Sequence, residues 1–177
     1  MKYTARLVGI FLCFSLGPAI AGTQALGFEL GVSTIDQVRV ALRKQTNLTE
    51  LGTNRYSKGL QFKTDGASYD IEGLIEVKYV FDEQKKLAGI LLKMKKARFD
   101  SVMSMLAGKY KIARQDRPFV GDQSVRFSAP DAVIELDSPH MSFEMDVSYI
   151  HNDLLKAFSG QSAAEAEAKR KREAAKF

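Results

Sequence analysis

Histidine, serine and acidic side chains that lie close together in the sequence are the first candidates for catalysis. Asp137, Ser138 and His140 form one such group, and His151 lies two residues before Asp153. Side chains adjacent in sequence do not make a catalytic triad, and no G-x-S-x-G, H-x-H or H-E-x-x-H pattern accompanies them. The sequence therefore predicts no catalytic, cofactor-binding or metal-binding residue. The alternative interpretation is a pocket around His140 that contains Asp137 and neighbouring acids.

Charged side chains that alternate with apolar ones are the second group of candidates. In the basic run 93–98, Met94 is expected to point to the core, so that the lysines point outward. These lysines are interpreted either as a charged strand edge that discourages association between sheets or as a contact for an acidic partner.

The stretch 141–149 has the clearest alternation in the chain. Its odd-numbered residues, from Met141 to Tyr149, are apolar and are predicted to face the core, while Ser142 to Ser148 point away from it. The predicted binding face, which holds a protein partner, consists of the outward residues Lys78, Lys93, Lys95, Glu144, Asp146 and Ser148. The competing interpretation is that these are ordinary solvated strand residues.

The elements that position these residues are indicated by periodicity. Apolar residues recur at i, i+3 and i+7 from Ile35 and again from Phe99, which predicts helices over 35–44 and from 99 to Gly108. Ser33 and Asp36 are expected to cap the first helix. Period-two alternation predicts strands over 60–64, 67–71, 75–81, 88–94, 109–115, 123–128, 132–136 and 141–149.

Because each helix precedes a run of strands with one apolar face, the sequence predicts an α+β fold. The expected architecture is two tandem helix-plus-antiparallel-sheet units with a C-terminal helical extension. The apolar pattern at Ile35 returns 64 residues later at Phe99, which favours an internal duplication. The expected boundaries are 1–21 for a signal peptide, 22–96 and 97–160 for the two units, and 161–177 for a charged helical tail.

The N-terminal segment has the pattern of a secretory signal peptide. Lys2 and Arg6 precede an uncharged apolar run from Leu7 to Leu16, and Ala19-Ile20-Ala21 matches an A-x-A cleavage site. The run is shorter than the roughly 20 apolar residues that a membrane-spanning helix needs. Cleavage after Ala21 would leave 156 residues without cysteine, because Cys13 is the only cysteine. The expected location is the periplasm of a Gram-negative bacterium.

The net charge of +5 is concentrated at the two ends of the chain. Two basic residues lie in the signal-like segment, and the segment 161–177 contains five basic and three acidic residues. A nucleic-acid-binding domain needs a basic patch within its folded part, so nucleic acid is excluded as a partner.

Two stretches carry a resemblance to a known family. Residues 31–38, GVSTIDQV, and residues 77–82, VKYVFD, with Leu87 after them, resemble the small outer-membrane assembly lipoproteins of the BamE (SmpA/OmlA) type over residues 28 to about 95. A tandem of two such units is similar to the fold of the β-lactamase inhibitor protein. The resemblance implies a non-enzymatic envelope protein that binds a protein partner, with envelope assembly or inhibition as its role. The alternative is a periplasmic enzyme or small-ligand carrier with a pocket near His140.

Overall fold

The computed structural model describes residues 22–174, so the signal-peptide prediction for residues 1–21 lies outside the described part of the chain. The helices α1 to α3 extend over Ile35–Arg43, Phe99–Ala107 and Asn152–Ala174. The strands β1 to β10 extend over Gln24–Ala25, Phe28–Glu29, Leu48–Thr53, Lys58–Asp65, Leu74–Asp82, Leu87–Lys95, Lys111–Asp116, Gln123–Ser128, Ala132–Ser138 and Glu144–His151. β1 and β2 form a small hairpin, and the other eight strands form one antiparallel sheet.

Helix α1 begins at a reciprocal cap. Thr34 accepts a hydrogen bond from the backbone N–H of Gln37, whose side chain accepts one from the N–H of Thr34. This pair takes the place of the predicted cap at Ser33 and Asp36, and satisfies two N–H groups that the helix itself leaves without partners. Helices α1 and α2 each have nine residues and bury the predicted i, i+3, i+7 positions.

The sheet overturns the predicted fold class. Its strand order is β3-β4-β5-β6-β10-β9-β8-β7, so that the chain builds the sheet from each outer edge towards the centre. β6 and β10 pair over seven residues, from Lys95 opposite Glu144 to Gly89 opposite Ile150. The α+β prediction of two tandem helix-plus-antiparallel-sheet units is therefore wrong, because the protein is mostly β, with 42% strand and 31% helix, around one continuous sheet. Pairing between β6 and β10 satisfies backbone groups that separate units would leave open at two edges.

A single core lies between the sheet and helices α1 and α2. The buried residues of both helices belong to one apolar cluster with the central strands, which includes Tyr79, Ile90 and Met145. Since successive strand residues point to opposite faces, both helices cover the same face of the sheet. We refer to the other face, which neither α1 nor α2 covers, as the open face.

Two local predictions at the ends of strands are also wrong. No strand forms over the predicted range 67–71, because the Asp65 side chain accepts from the N–H of Ala67 and begins a 3₁₀ turn over Gly66–Tyr69. β10 begins only at Glu144, so Met141 and Phe143 are not in the core and are 91% and 95% exposed. Among residues 22–174, no helix combines the length and apolar character needed to cross a bilayer.

Candidate binding surface

The six predicted binding residues lie on one face of the sheet, the open face. Lys93 lies directly opposite Asp146, and Lys95 lies opposite Glu144 across the β6–β10 pair. Leu91 pairs with Ser148 on one side and with Lys78 on the other, which places all six side chains on the same face. The prediction that these six residues share one face was made from the period-two alternation of apolar and polar residues alone.

Lys93 connects the two central strands through its ammonium group. Its Nζ lies 3.5 Å from Oδ1 of Asp146 and 3.4 Å from Oε2 of Glu144. The negative charge of Asp146, together with the hydrogen bonds that Lys93 donates to both carboxylates, raises the pKa of Lys93. The side chain is therefore held in place as a cross-strand link between the two halves of the sheet.

Glu76 is part of this surface, although it is not among the six predicted binding residues. Its two carboxylate oxygens accept hydrogen bonds from Lys63 at 3.1 Å and from Lys78 at 3.2 Å. Partial burial acts to raise the pKa of Glu76, but the hydrogen bonds and charges of the two lysines together outweigh it, and the pKa is lowered. The signal that could have identified Glu76 is its spacing of two residues from Lys78 in the same strand.

Acidic residues dominate the neighbouring strand β9. Glu135 forms an ion pair with Arg126 of β8, with Arg126 Nε 2.7 Å from Oε1. Asp137 lies directly opposite Asp146 of β10, so two like charges meet across the ladder. Desolvation, followed by the charges of Glu135 and Asp146, raises the pKa of Asp137 against the opposing effect of Arg126.

The four central strands of the open face are consequently polarised across the β6–β10 pair. Strands β5 and β6 contribute three lysines and one glutamate, β9 and β10 contribute four acids, and Arg126 of the next strand, β8, borders the acidic side. The residues concerned are Glu76, Lys78, Lys93, Lys95, Glu135, Asp137, Glu144 and Asp146. Such a surface favours a partner with the opposite arrangement of charge and disfavours a uniform polyanion.

An apolar rim adjoins one end of the open face. We use this name for four exposed residues in the loops before β8 and β10: Phe119, Val120, Met141 and Phe143. The two loops are joined by a hydrogen bond of 2.7 Å from the N–H of His140 to Oδ1 of Asp122. The carbonyl of Phe143 accepts from the N–H of Lys96, which places the rim at the Lys95 and Glu144 end of the central strands.

Helix α3 covers part of the opposite end of the open face. Leu154 lies over Gly89, where an added Cβ would be 3.5 Å from Cδ2 of Leu154. The rings of Phe158 and Tyr56 meet edge to face, with centroids 4.7 Å apart, and Arg55 forms an ion pair with Glu165. These contacts explain why the helix passes without a break through Gly160, the expected boundary between the second unit and the tail.

Asp137 and His140, the named residues of the predicted alternative pocket, do not line any of five cavities of the described part of the chain. Ser138 is buried on the helix-covered face, whereas the neighbouring Asp137 lies on the open face. The side chain of His140 is exposed in the loop beyond β9, and these cavities have volumes of 260–430 Å³. His151 packs against Gly31, where a Cβ would lie 2.8 Å from Nε2.

Within residues 22–174, no three histidine, cysteine or acidic side chains are grouped so that they could hold a metal ion. Comparisons of the chain with protein-family models, with curated proteins and with solved structures find no match.

Proposed function

We propose that this protein is an exported, non-enzymatic binding protein of the bacterial envelope, and that its open face holds a protein partner. The observation that carries the proposal is the polarisation of the open face across the β6–β10 pair. Charges arranged in this way raise the rate of encounter with a complementary protein and fix its orientation, while they add less to affinity.

The apolar rim supports the same proposal. A few aromatic and other large apolar side chains supply most of the affinity at protein interfaces, and charged residues surround them. Phe143 is 95% exposed directly before Glu144, so an apolar anchor adjoins the charged face in the chain itself. A partner that contacts both would bury apolar area and match charge within one interface.

Location in the periplasm is part of the proposal and rests on the signal-like residues 1–21. The role in the envelope rests on the resemblance of residues 28–95 to the BamE type.

Mass spectrometry of the protein isolated from its own cells is expected to give Gly22 as the first residue. An intact chain that begins at Met1, or a membrane-bound form modified at Cys13, would contradict export by cleavage.

The test of binding is a charge swap, Lys93→Glu combined with Asp146→Lys. The swap keeps a cross-strand ion pair at positions that face each other and gives Asp137 an opposite charge across the ladder, but it places a glutamate opposite Glu76 of β5. The thermal unfolding midpoint should therefore change little. It reverses the local charge on both sides of the β6–β10 pair, so co-purification of an envelope partner should be lost. Co-purification from envelope extract, followed by identification of the captured protein, is the measurement.

The matched control is the swap Glu167→Lys with Lys171→Glu, which exchanges an ion pair of 2.7 Å between exposed side chains in the C-terminal part of α3. This variant should capture the partner as the unaltered protein does. A third variant, Phe143→Ser, should weaken capture without affecting the charges. Equal capture by the Lys93/Asp146 swap and its control would exclude the open face as the binding surface.

A further inference from the structure

An apolar cavity of about 430 Å³ lies on the face of the sheet opposite the proposed protein-binding surface. Its floor is formed by central-strand residues that include Leu92 and Val147, and one wall is formed by Val102 and Leu106 of α2. This volume is within the range of small-molecule binding sites, roughly 300–1,000 Å³, which are predominantly apolar with a few polar groups. The cavity therefore has the size and lining of a ligand site.

The hairpin β1–β2 borders the opening of this cavity. Its turn consists of Leu26 and Gly27, with φ angles of +52° and +81°. A leucine in the left-handed region costs free energy, on the order of 1–2 kcal/mol, and is uncommon for that reason. The side chain of Leu26 packs against the core cluster and lines the cavity. The strained backbone at Leu26 therefore places an apolar side chain in the cavity wall.

Three of the residues that line the cavity, Lys109, Tyr110 and Tyr149, carry hydrogen-bond donors. Lys109 lies just after α2 and forms no ion pair with any residue in the range 22–174. Tyr110 and Tyr149 also line the cavity, and burial followed by the proximity of Tyr110 raises the pKa of Tyr149 to about 12. Burial, followed by the negative charge of Asp131, raises the pKa of Tyr110. Both tyrosines thus remain protonated at neutral pH and can donate hydrogen bonds.

We propose that this cavity binds a small single-chain amphiphile, with its apolar chain over Leu92 and Val147 and its anionic head group at Lys109, Tyr110 and Tyr149. An ammonium and two phenol donors match the acceptor oxygens of a carboxylate or a phosphate. The apolar walls match a hydrocarbon chain. This activity is distinct from the proposed partner binding, because the two surfaces are on opposite faces of the sheet.

Isothermal titration calorimetry with dodecanoate, dodecyl phosphate and dodecanol, each below its aggregation concentration, tests the proposal. The two anionic probes should bind about tenfold more tightly than the neutral alcohol, the increment of one charge-assisted contact. Lys109→Glu should remove that advantage and change dodecanol binding by less than about twofold. Binding of only one anionic probe would identify the carboxylate or the phosphate as the head group.

Lys111→Glu is the matched control, because it makes the same charge change at an exposed position of β7 that does not line the cavity. Leu26→Gly is the second variant, since glycine accepts the positive φ and the fold should be kept. It should weaken binding of all three probes. Absence of binding by both anionic probes, or equal effects of Lys109→Glu and Lys111→Glu, would overturn the proposal.

Discussion

Asp137 shows how a single residue of the open face can oppose folding. It lies opposite Asp146 in the ladder, and its pKa is raised by desolvation and then by the charges of Glu135 and Asp146. A carboxyl whose pKa is higher in the folded state stabilises the fold when it is protonated, and this stabilisation is lost as the pH rises through that pKa. At neutral pH, Asp137 therefore reduces the free energy of unfolding.

Replacement of Asp137 by asparagine should stabilise the protein at pH 7, by less than about 1 kcal/mol because the side chain is partly solvated. The gain should shrink as the pH falls towards the ordinary aspartate pKa of 3.8, where Asp137 itself becomes protonated. Urea unfolding at a series of pH values measures it, with Asp116→Asn on the edge strand β7 as control. A gain that is independent of pH would show that the carboxylate charge is not the cause.

At the scale of elements, strand ends depend on the partner strand as much as on alternation. The pattern from Met141 to Tyr149 is continuous in sequence, but β6 ends at Lys95 and leaves no strand opposite residues 141–143. Lys96 instead turns away, and its Nζ donates to the carbonyls of Pro139 and His140. Met141 and Phe143 are consequently carried into an exposed loop.

Helix α3 is a second element whose extent depends on tertiary contacts. Gly160 costs about 1 kcal/mol relative to alanine within a helix, which is why the sequence favours a break there. The contacts of Phe158 with Tyr56 and of Glu165 with Arg55 lie on both sides of Gly160 and hold the two parts of the helix to the same loop. The segment 161–174 is helical, as expected, and its side chains are mostly exposed.

For the whole molecule, the pairing of β6 with β10 makes one cooperative unit out of eight strands. Helices α1 and α2 share one apolar cluster with the central strands. Neither the half that contains β3 to β6 nor the half that contains β7 to β10 can therefore unfold without exposing the core of the other. We therefore expect urea unfolding to be a single transition, with coincident curves from tyrosine fluorescence and far-ultraviolet circular dichroism.

Met145→Ala tests this expectation at the centre of the sheet. Met145 is fully buried opposite Met94, so its truncation should lower the free energy of unfolding by about 2–5 kcal/mol and leave a single transition. Met105→Ala is the matched control, because Met105 is 56% exposed and its loss should cost much less. Two separate transitions in either protein would mean that the halves unfold independently.

The sequence by itself determined those features that depend on neighbouring residues. Periodicity placed α1 and α2 within a residue or two, located β8 over 123–128, and put Lys93 and Glu144 on the side of their strands that points away from the core. It missed β3, because a β-bulge between Glu50 and Gly52 breaks the period-two alternation in this edge strand. The other edge strand, β7, is equally exposed but was predicted over 109–115.

Only the tertiary structure decided how the two runs of strands meet. The β6–β10 register sets Lys93 against Asp146 and, with β9, brings Asp137 opposite the same residue. Polarisation of the open face, exposure of the apolar rim and the cavity beneath Leu26 all follow from contacts between residues far apart in sequence. Such contacts are sums of many weak interactions across strands, and no local spacing in the chain encodes which strand will be the neighbour.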